Sequence, residues 1–132
     1  PVYAPDLYPT LLRAAGLSDQ AQAGLDGVDF TALLQNPDAT LKREALYFHY
    51  PHYYQTTTPV SALRKGDWKL LEYYEDNRLE LFNLKQDPGE TQDISTANPD
   101  LARRLRMELD VWRKKIGAQL PEPNPDWKPR RK

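Results

Sequence analysis

Glu44 to Leu84, EALYFHYPHYYQTTTPVSALRKGDWKLLEYYEDNRLELFNL, holds four short segments rich in Val, Leu, Tyr, Trp and Phe, each closed by Pro, Gly, Asp or Asn. Short β-prone runs separated by turn residues read as successive antiparallel strands. Between the second and third, Arg64-Lys65-Gly66-Asp67 puts a glycine where a tight hairpin needs positive φ. Between the third and fourth, Glu75-Asp76-Asn77-Arg78 offers Asp and Asn, the non-glycine residues that best tolerate a left-handed turn position. The stretch predicts a four-stranded meander. Alternation along the third strand sets Trp68, Leu70, Glu72 and Tyr74 on one face and Lys69, Leu71 and Tyr73 on the other. Both faces are largely apolar. A sheet with one wet face should alternate apolar with polar, so each face here expects a cover.

One cover lies in the chain. Asn98-Pro99-Asp100 combines a cap residue with proline at the first helical position, and the helix it starts runs to about Gly117. At about 100° per residue, Leu101, Leu105, Leu109, Trp112 and Ile116 fall within an arc of about 80°, with Arg103, Arg104, Asp110 and Lys114 outside it. Arg113, Lys114 and Lys115 suit the negative end of the helix dipole. Asp87-Pro88-Gly89-Glu90 is a turn ahead of it. The sequence thus predicts an α+β fold, a four-stranded antiparallel sheet packed against one long C-terminal helix.

Upstream, Asp6 to Gly16 has a cap candidate in Asp6, a proline in the first turn and a glycine stop, the marks of a short helix. Leu7, Leu11, Ala14 and Ala15 form one stripe with Tyr8 and Leu12 beside it, so this helix is apolar over more than one side. Together with the second sheet face it predicts an exposed apolar surface, and with it either self-association of the isolated chain or poor order over its first ~30 residues. Ser18 to Gly27 is a polar connection, and Asp29 then caps a brief turn through Phe30, Leu33 and Leu34 that Asn36-Pro37 ends. Leu120 to Lys132, with four prolines, is expected to be extended, either pinned by Trp127 or loose. The expected divisions are 1–43, 44–118 and 119–132.

The chain's 132 residues suit one core, and 39% hydrophobic with 28% charged residues is ordinary for a globular protein, while 12 prolines imply long connections. A net charge of −1 supplies no field to attract nucleic acid or an anionic membrane. Lys128 to Lys132 is a short basic tail of the kind that is usually solvated. No apolar run approaches the ~18 residues of a membrane span, and no leader-like pattern opens the chain. Cysteine is absent, which removes disulfides, thiolate metal sites and a cysteine nucleophile together. With Pro1 at its start and Met107 its only methionine, the chain reads as a fragment of a longer protein.

Phosphate loops, paired catalytic carboxylates, a His-Glu-x-x-His and a serine nucleophile elbow are all missing, so no catalytic residue is expected. What remains is His49-Tyr50-Pro51-His52-Tyr53-Tyr54, with the only two histidines three residues apart. Two imidazoles without nearby carboxylates leave most of a metal's coordination shell unfilled, so no metal is assigned. Either His49 and Tyr50 end a buried strand with their polar atoms tied down, or the loop from His52 to Pro59 projects His and Tyr donors into a cleft that holds a polar or anionic ligand. His49, His52 and Tyr53 are the substrate-binding candidates. Arg64 joins them as a fork of donors ending the second strand, its alternative being a surface pair with Asp67 or Glu72.

DLYPTLLRAAGL, GLDGVDFTALL, LYFHYPHY, SALRKGDWKLLEYYED and LELFNLKQDPGETQDIS, in that order and spacing, resemble the C-terminal part of the sulfatase family, most closely the bacterial arylsulfatase-like enzymes. The resemblance runs from about Asp6 to Pro125. It implies a larger N-terminal α/β domain holding calcium and a formylglycine made from Cys or Ser, of which residues 1–43 would be the tail. It also implies a smaller C-terminal subdomain of four strands and one helix. The hydrated aldehyde would attack sulfur while cations stabilise charge on the sulfate oxygens. This chain has no cysteine and no Ser-x-Pro-x-Arg, so no catalytic residue transfers, and Asp6 and Asp26 stand in cap and turn contexts rather than as calcium ligands. The resemblance implies as partners the missing N-terminal domain and, in the whole enzyme, a sulfated carbohydrate or aryl sulfate; it points to a periplasmic or secreted location. Alternatives are a free-standing carbohydrate- or protein-binding module, and the same part of a related phosphodiesterase or phosphonate hydrolase.

Overall fold

The computed structural model describes residues 1–17, 24–36, 38–122 and 124–126. Pro37 and Trp127, and with them the expected proline stop and tryptophan pin, lie outside the described residues. Two compact units divide at Glu44: Pro1–Glu44 and Ala45–Lys132.

The second unit is the predicted meander, with β1 (Leu46–Tyr50), β2 (Val60–Lys65), β3 (Trp68–Tyr73) and β4 (Leu79–Asn83) antiparallel in that spatial order. Both hairpin readings hold, since Gly66 turns at φ 57° and Asn77 at φ 55°. Register lays the side chains in rows across the sheet. Tyr47, Leu63, Leu70 and Leu81 form one row, and His49, Ser61, Glu72 and Leu79 the next, both on one face. The opposite face carries the rows Leu46–Arg64–Lys69–Phe82 and Phe48–Ala62–Leu71–Glu80.

Helix α3 (Pro99–Ile116) covers the first face. Leu63, Leu70 and Leu81 meet Ala102, Leu105 and Leu109 in the core, and Tyr47 stacks on Trp112 with ring centroids 5.0 Å apart. Burial of such side chains contributes roughly 1.5–3 kcal/mol each. The buried stripe is turned from the expected arc: Ala102 and Arg113 are inside, and Ile116 is 52% exposed. Arg113 is drawn in by a carboxylate on the sheet, and that fixes the helix's rotation. Asn98 does not cap with its side chain; its Nδ2 donates back to the Ile94 carbonyl at 3.2 Å. The helix ends as expected at Gly117, which is left-handed at φ 63°. The edge of β4 is closed by the following loop, where Leu81 N–H donates to Asp93 Oδ1 and Ile94 N–H to the Leu81 carbonyl, both at 2.9 Å. Among the described residues no helix is long and apolar enough to cross a membrane.

In the first unit a 3-10 turn (Ala4–Asp6) runs into α1 (Leu7–Ala14), and α2 (Thr31–Gln35) follows. Asp6 stands at the N-cap of α1 but makes no side-chain cap bond there. It is fully buried, accepts from Tyr3 N–H at 2.9 Å and Val28 N–H at 2.8 Å, and is paired by the Arg43 guanidinium. Burial opposes its charge, yet those donors prevail and hold the carboxyl below the usual carboxylate range. Thr10 Oγ1 continues the web, donating to the Asp6 carbonyl and accepting from Phe30 N–H. Asp29 does not cap α2, whose N-cap is Phe30; its Oδ1 accepts from Thr31 N–H at 2.8 Å and closes the turn just ahead of the helix. Leu7, Tyr8 and Leu11 of α1 are exposed.

Candidate functional site

Pro51 ends β1 because it cannot donate to the ladder, and the chain does not rejoin the sheet until Val60. Within the loop Tyr54 and Thr57 form a small bridge, with Tyr54 N–H donating to the Thr57 carbonyl at 3.0 Å. Pro59 is fully buried, and its carbonyl accepts from Tyr74 N–H at 3.0 Å. The loop is thus fastened to the end of β3 while its tip faces outward: His52, Tyr53 and Tyr54 are exposed, and Tyr50 sets its ring edge-on to His52 at 5.7 Å.

The turn between β3 and β4 stands at the same end. Tyr53 Oη donates to Glu75 Oε1 at 2.7 Å, and that hydrogen bond, before any burial, raises the phenol's pKa. Arg78 lies over the Tyr73 ring at 4.0 Å and pairs with Asp76 and Glu80. This end of the sheet therefore offers exposed aromatic faces, an imidazole and phenol hydroxyls, groups suited to stacking on and hydrogen-bonding a sugar.

The four sequence candidates do not converge. His52 and Tyr53 share the loop tip. His49 faces α3 with both ring nitrogens engaged: Nε2 lies 2.8 Å from the Gln119 carbonyl, and Nδ1 lies 2.8 Å from Ser61 Oγ and 3.0 Å from Tyr74 Oη. A carbonyl only accepts, so Nε2 carries the proton and Nδ1 accepts from a hydroxyl. Arg64 sits four residues beyond Val60, about 13 Å along the strand from the loop.

Beneath the loop lies a buried polar network that the sequence reading left out. Arg113 Nη2 donates to Glu72 Oε2 at 2.7 Å and Nη1 to Tyr74 Oη at 2.8 Å, while Arg106 Nε donates to Glu72 Oε1 at 2.7 Å. Tyr74 Oη is 2.6 Å from Ser61 Oγ, which joins this cluster to His49. Burial works against the Arg113 charge, but Asp110, Tyr74 and Glu72 outweigh it and raise its pKa. A signal was available: Glu72 shares a strand face with Leu70, and a carboxylate aimed at a core calls for a cation from the covering helix.

The resemblance implies calcium and formylglycine in the larger N-terminal domain, not in this chain. The chain has no cysteine, and among the described residues no three His, Cys, Asp or Glu side chains group to hold a metal.

The sequence matches the family described as N-sulphoglucosamine sulphohydrolase, C-terminal, over residues 2–115. It is 32% identical over 125 residues to a sulfatase of Formosa agariphila, covering 84% of this chain and 23% of that protein. Against arylsulfatase K of Rattus norvegicus the identity is 29% over 113 residues, covering 79% of this chain and 19% of the relative. The solved structure of BT4656 in complex with its substrate D-glucosamine-2-N,6-O-disulfate superposes with a TM-score of 0.68 at 26% identity, over 88% of this chain and 24% of that one. The chain spans about a quarter or less of the length of these relatives.

Proposed function

Because this chain belongs to the N-sulphoglucosamine sulphohydrolase C-terminal family, we propose that it completes the substrate cleft of a sulfatase whose catalytic groups, with calcium and formylglycine, lie in the part of the enzyme outside it. The match across residues 2–115, in a chain with no catalytic set of its own, carries this reading. The substrate class is a sulfated carbohydrate, supported by the disulfated glucosamine bound to BT4656 and by the aromatic loop. His52 and Tyr53 contact the sugar beyond the sulfate, with Tyr50 and Tyr54 offering ring faces. His49 positions the sheet and the segment after α3 rather than touching substrate.

Contacts outside the reacting centre contribute to binding substrate and transition state alike, so their loss appears mainly in KM. In the full-length enzyme, His52→Ala and Tyr53→Ala should each raise KM for a sulfated oligosaccharide by about tenfold, the scale of one lost polar contact. Turnover of 4-nitrophenyl sulfate should hold, and the 132-residue chain alone should hydrolyse neither substrate. Unchanged oligosaccharide kinetics, or equal losses on both substrates, would refute the assignment of the loop.

A further inference from the structure

Arg64 stands in the row Leu46–Arg64–Lys69–Phe82, on the sheet face away from α3. Leu46 and Phe82, at the two ends of that row, are buried. The neighbouring cation, Lys69, has its carboxylate, with Nζ 2.5 Å from Glu90 Oε2. Arg64 has none: among the described residues no carboxylate pairs with it, and its Nε is the one buried side-chain nitrogen or oxygen without a hydrogen-bond partner. A buried N–H left unmade is costly, and buried polar groups are otherwise almost always satisfied. Two residues along β1 from Leu46, Phe48 on the same face is 47% exposed. A charged donor without an acceptor, beside exposed aromatic surface, is the composition of an interface centre seen without its partner.

Resting on the reading above, that this chain is one part of a longer sulfatase, we propose that Arg64 is the ionic anchor of the face opposite α3. It pairs there with a carboxylate from the portion of the enzyme outside this chain. The relatives supply the length for such a partner, since this chain covers 23% of the Formosa agariphila sulfatase. The chemistry supplies its character: a carboxylate flanked by apolar side chains, meeting a guanidinium whose planar fork accepts it in two bonds. The Arg64 side chain, long and flexible, reorients to bring Nε and a terminal nitrogen to that acceptor.

An anchor of this kind reverses the sign of its own mutation. In the 132-residue chain, Arg64→Met removes a donor that has no acceptor, so amide hydrogen-exchange protection of β1 and β2 should stay level or rise. In the full-length enzyme the same substitution strands a carboxylate, and protection of those strands should fall by about tenfold, the scale of one charge-assisted hydrogen bond. Arg64→Lys, which keeps the charge without the fork, should fall between wild type and Arg64→Met in the full-length enzyme and serves as the folding control. Equal loss of protection in both proteins would overturn the proposal by making Arg64 a structural group of this chain. No loss in the full-length enzyme would overturn it as well. The sulfatase reading fails separately, if wild-type full-length enzyme turns over no sulfate ester, and the exchange comparison stands whichever way that assay falls.

Discussion

Replacing Arg113 by Met tests whether the polar network holds the sheet to its helix. Arg113 is 7% and Glu72 3% exposed, so the substitution leaves a carboxylate inside the protein with part of its shell removed. Breaking a buried pair from one side costs about 3–5 kcal/mol. Glu72 keeps the Arg106 Nε bond at 2.7 Å, and Asp110 can turn to solvent, which places the expected loss near the lower end, about 3 kcal/mol. Removing both charges in Glu72→Met with Arg113→Met should cost less than the single change, because no uncompensated ion remains inside and well-packed apolar replacements of a buried pair are often neutral. Urea unfolding followed by the fluorescence of Trp68 and Trp112, both packed against the core, measures the cycle. The single variant should shift the midpoint at constant slope, since the surface exposed on unfolding is unchanged. A loss below about 1 kcal/mol, or a double variant that loses the sum of the two singles, would refute the reasoning.

Three further outcomes concern the first unit and one hairpin. Gly27→Ala would set a Cβ 2.0 Å from the Pro5 carbonyl oxygen, a backbone contact that cannot give way, so the variant should unfold Pro1–Glu44 as read by loss of exchange protection at Val28 N–H, while Gly66→Ala, with open space but φ 57°, should cost only about 1–2 kcal/mol in urea. Asp6 has its folded-state pKa depressed, so its contribution is complete above its ordinary value near ~3.9 and is lost as pH falls through and below it. Val28 N–H protection should collapse in that acid window, and in Asp6→Asn it should be weak at neutral pH and nearly pH-independent.

The meander was legible because its signals are local. Gly66 and Asn77 sit where the chain must turn left-handed, and the alternation Trp68, Leu70, Glu72 assigned one face of β3 residue by residue. The long helix was legible in extent, with Pro99 at its start and Gly117 at its end, but not in rotation. The apolar arc pointed through Ile116, whereas an ion pair with a residue 41 positions away turned Arg113 inward. Arg43 and Asp6 repeat the lesson across 37 positions, and Gly27 reads as a linker glycine until Pro5 is laid against it. Such pairings depend on tertiary position, which no spacing within a helix or strand encodes. The candidate site was half legible: Pro51 and the tyrosines marked the loop, while Arg64, set at the hairpin end of β2 by the Gly66 turn beside it, stands at the far end of the strand from that loop.

The network and the loop are mechanically one arrangement. Tyr74 joins them, since its N–H holds the Pro59 carbonyl at the loop's return while its hydroxyl receives Arg113 Nη1 and meets Ser61 and His49. His49 in turn holds the Gln119 carbonyl, so the strand before the loop and the segment after α3 meet on the same imidazole. On the proposed role of His52 and Tyr53, the loop needs supports whose own positions are fixed by packing and hydrogen bonds. The buried charges add little net stability for their desolvation cost, but they admit one helix rotation and one strand register in which every member is satisfied. By this argument a loss at Arg113 reaches the loop's return at Pro59 before it reaches the Gly66 hairpin, which lies at the other end of β2 and β3 and is tied separately, through Lys65 Nζ to Glu108 Oε2 and through Leu84 N–H to the Asp67 carbonyl, both at 2.7 Å.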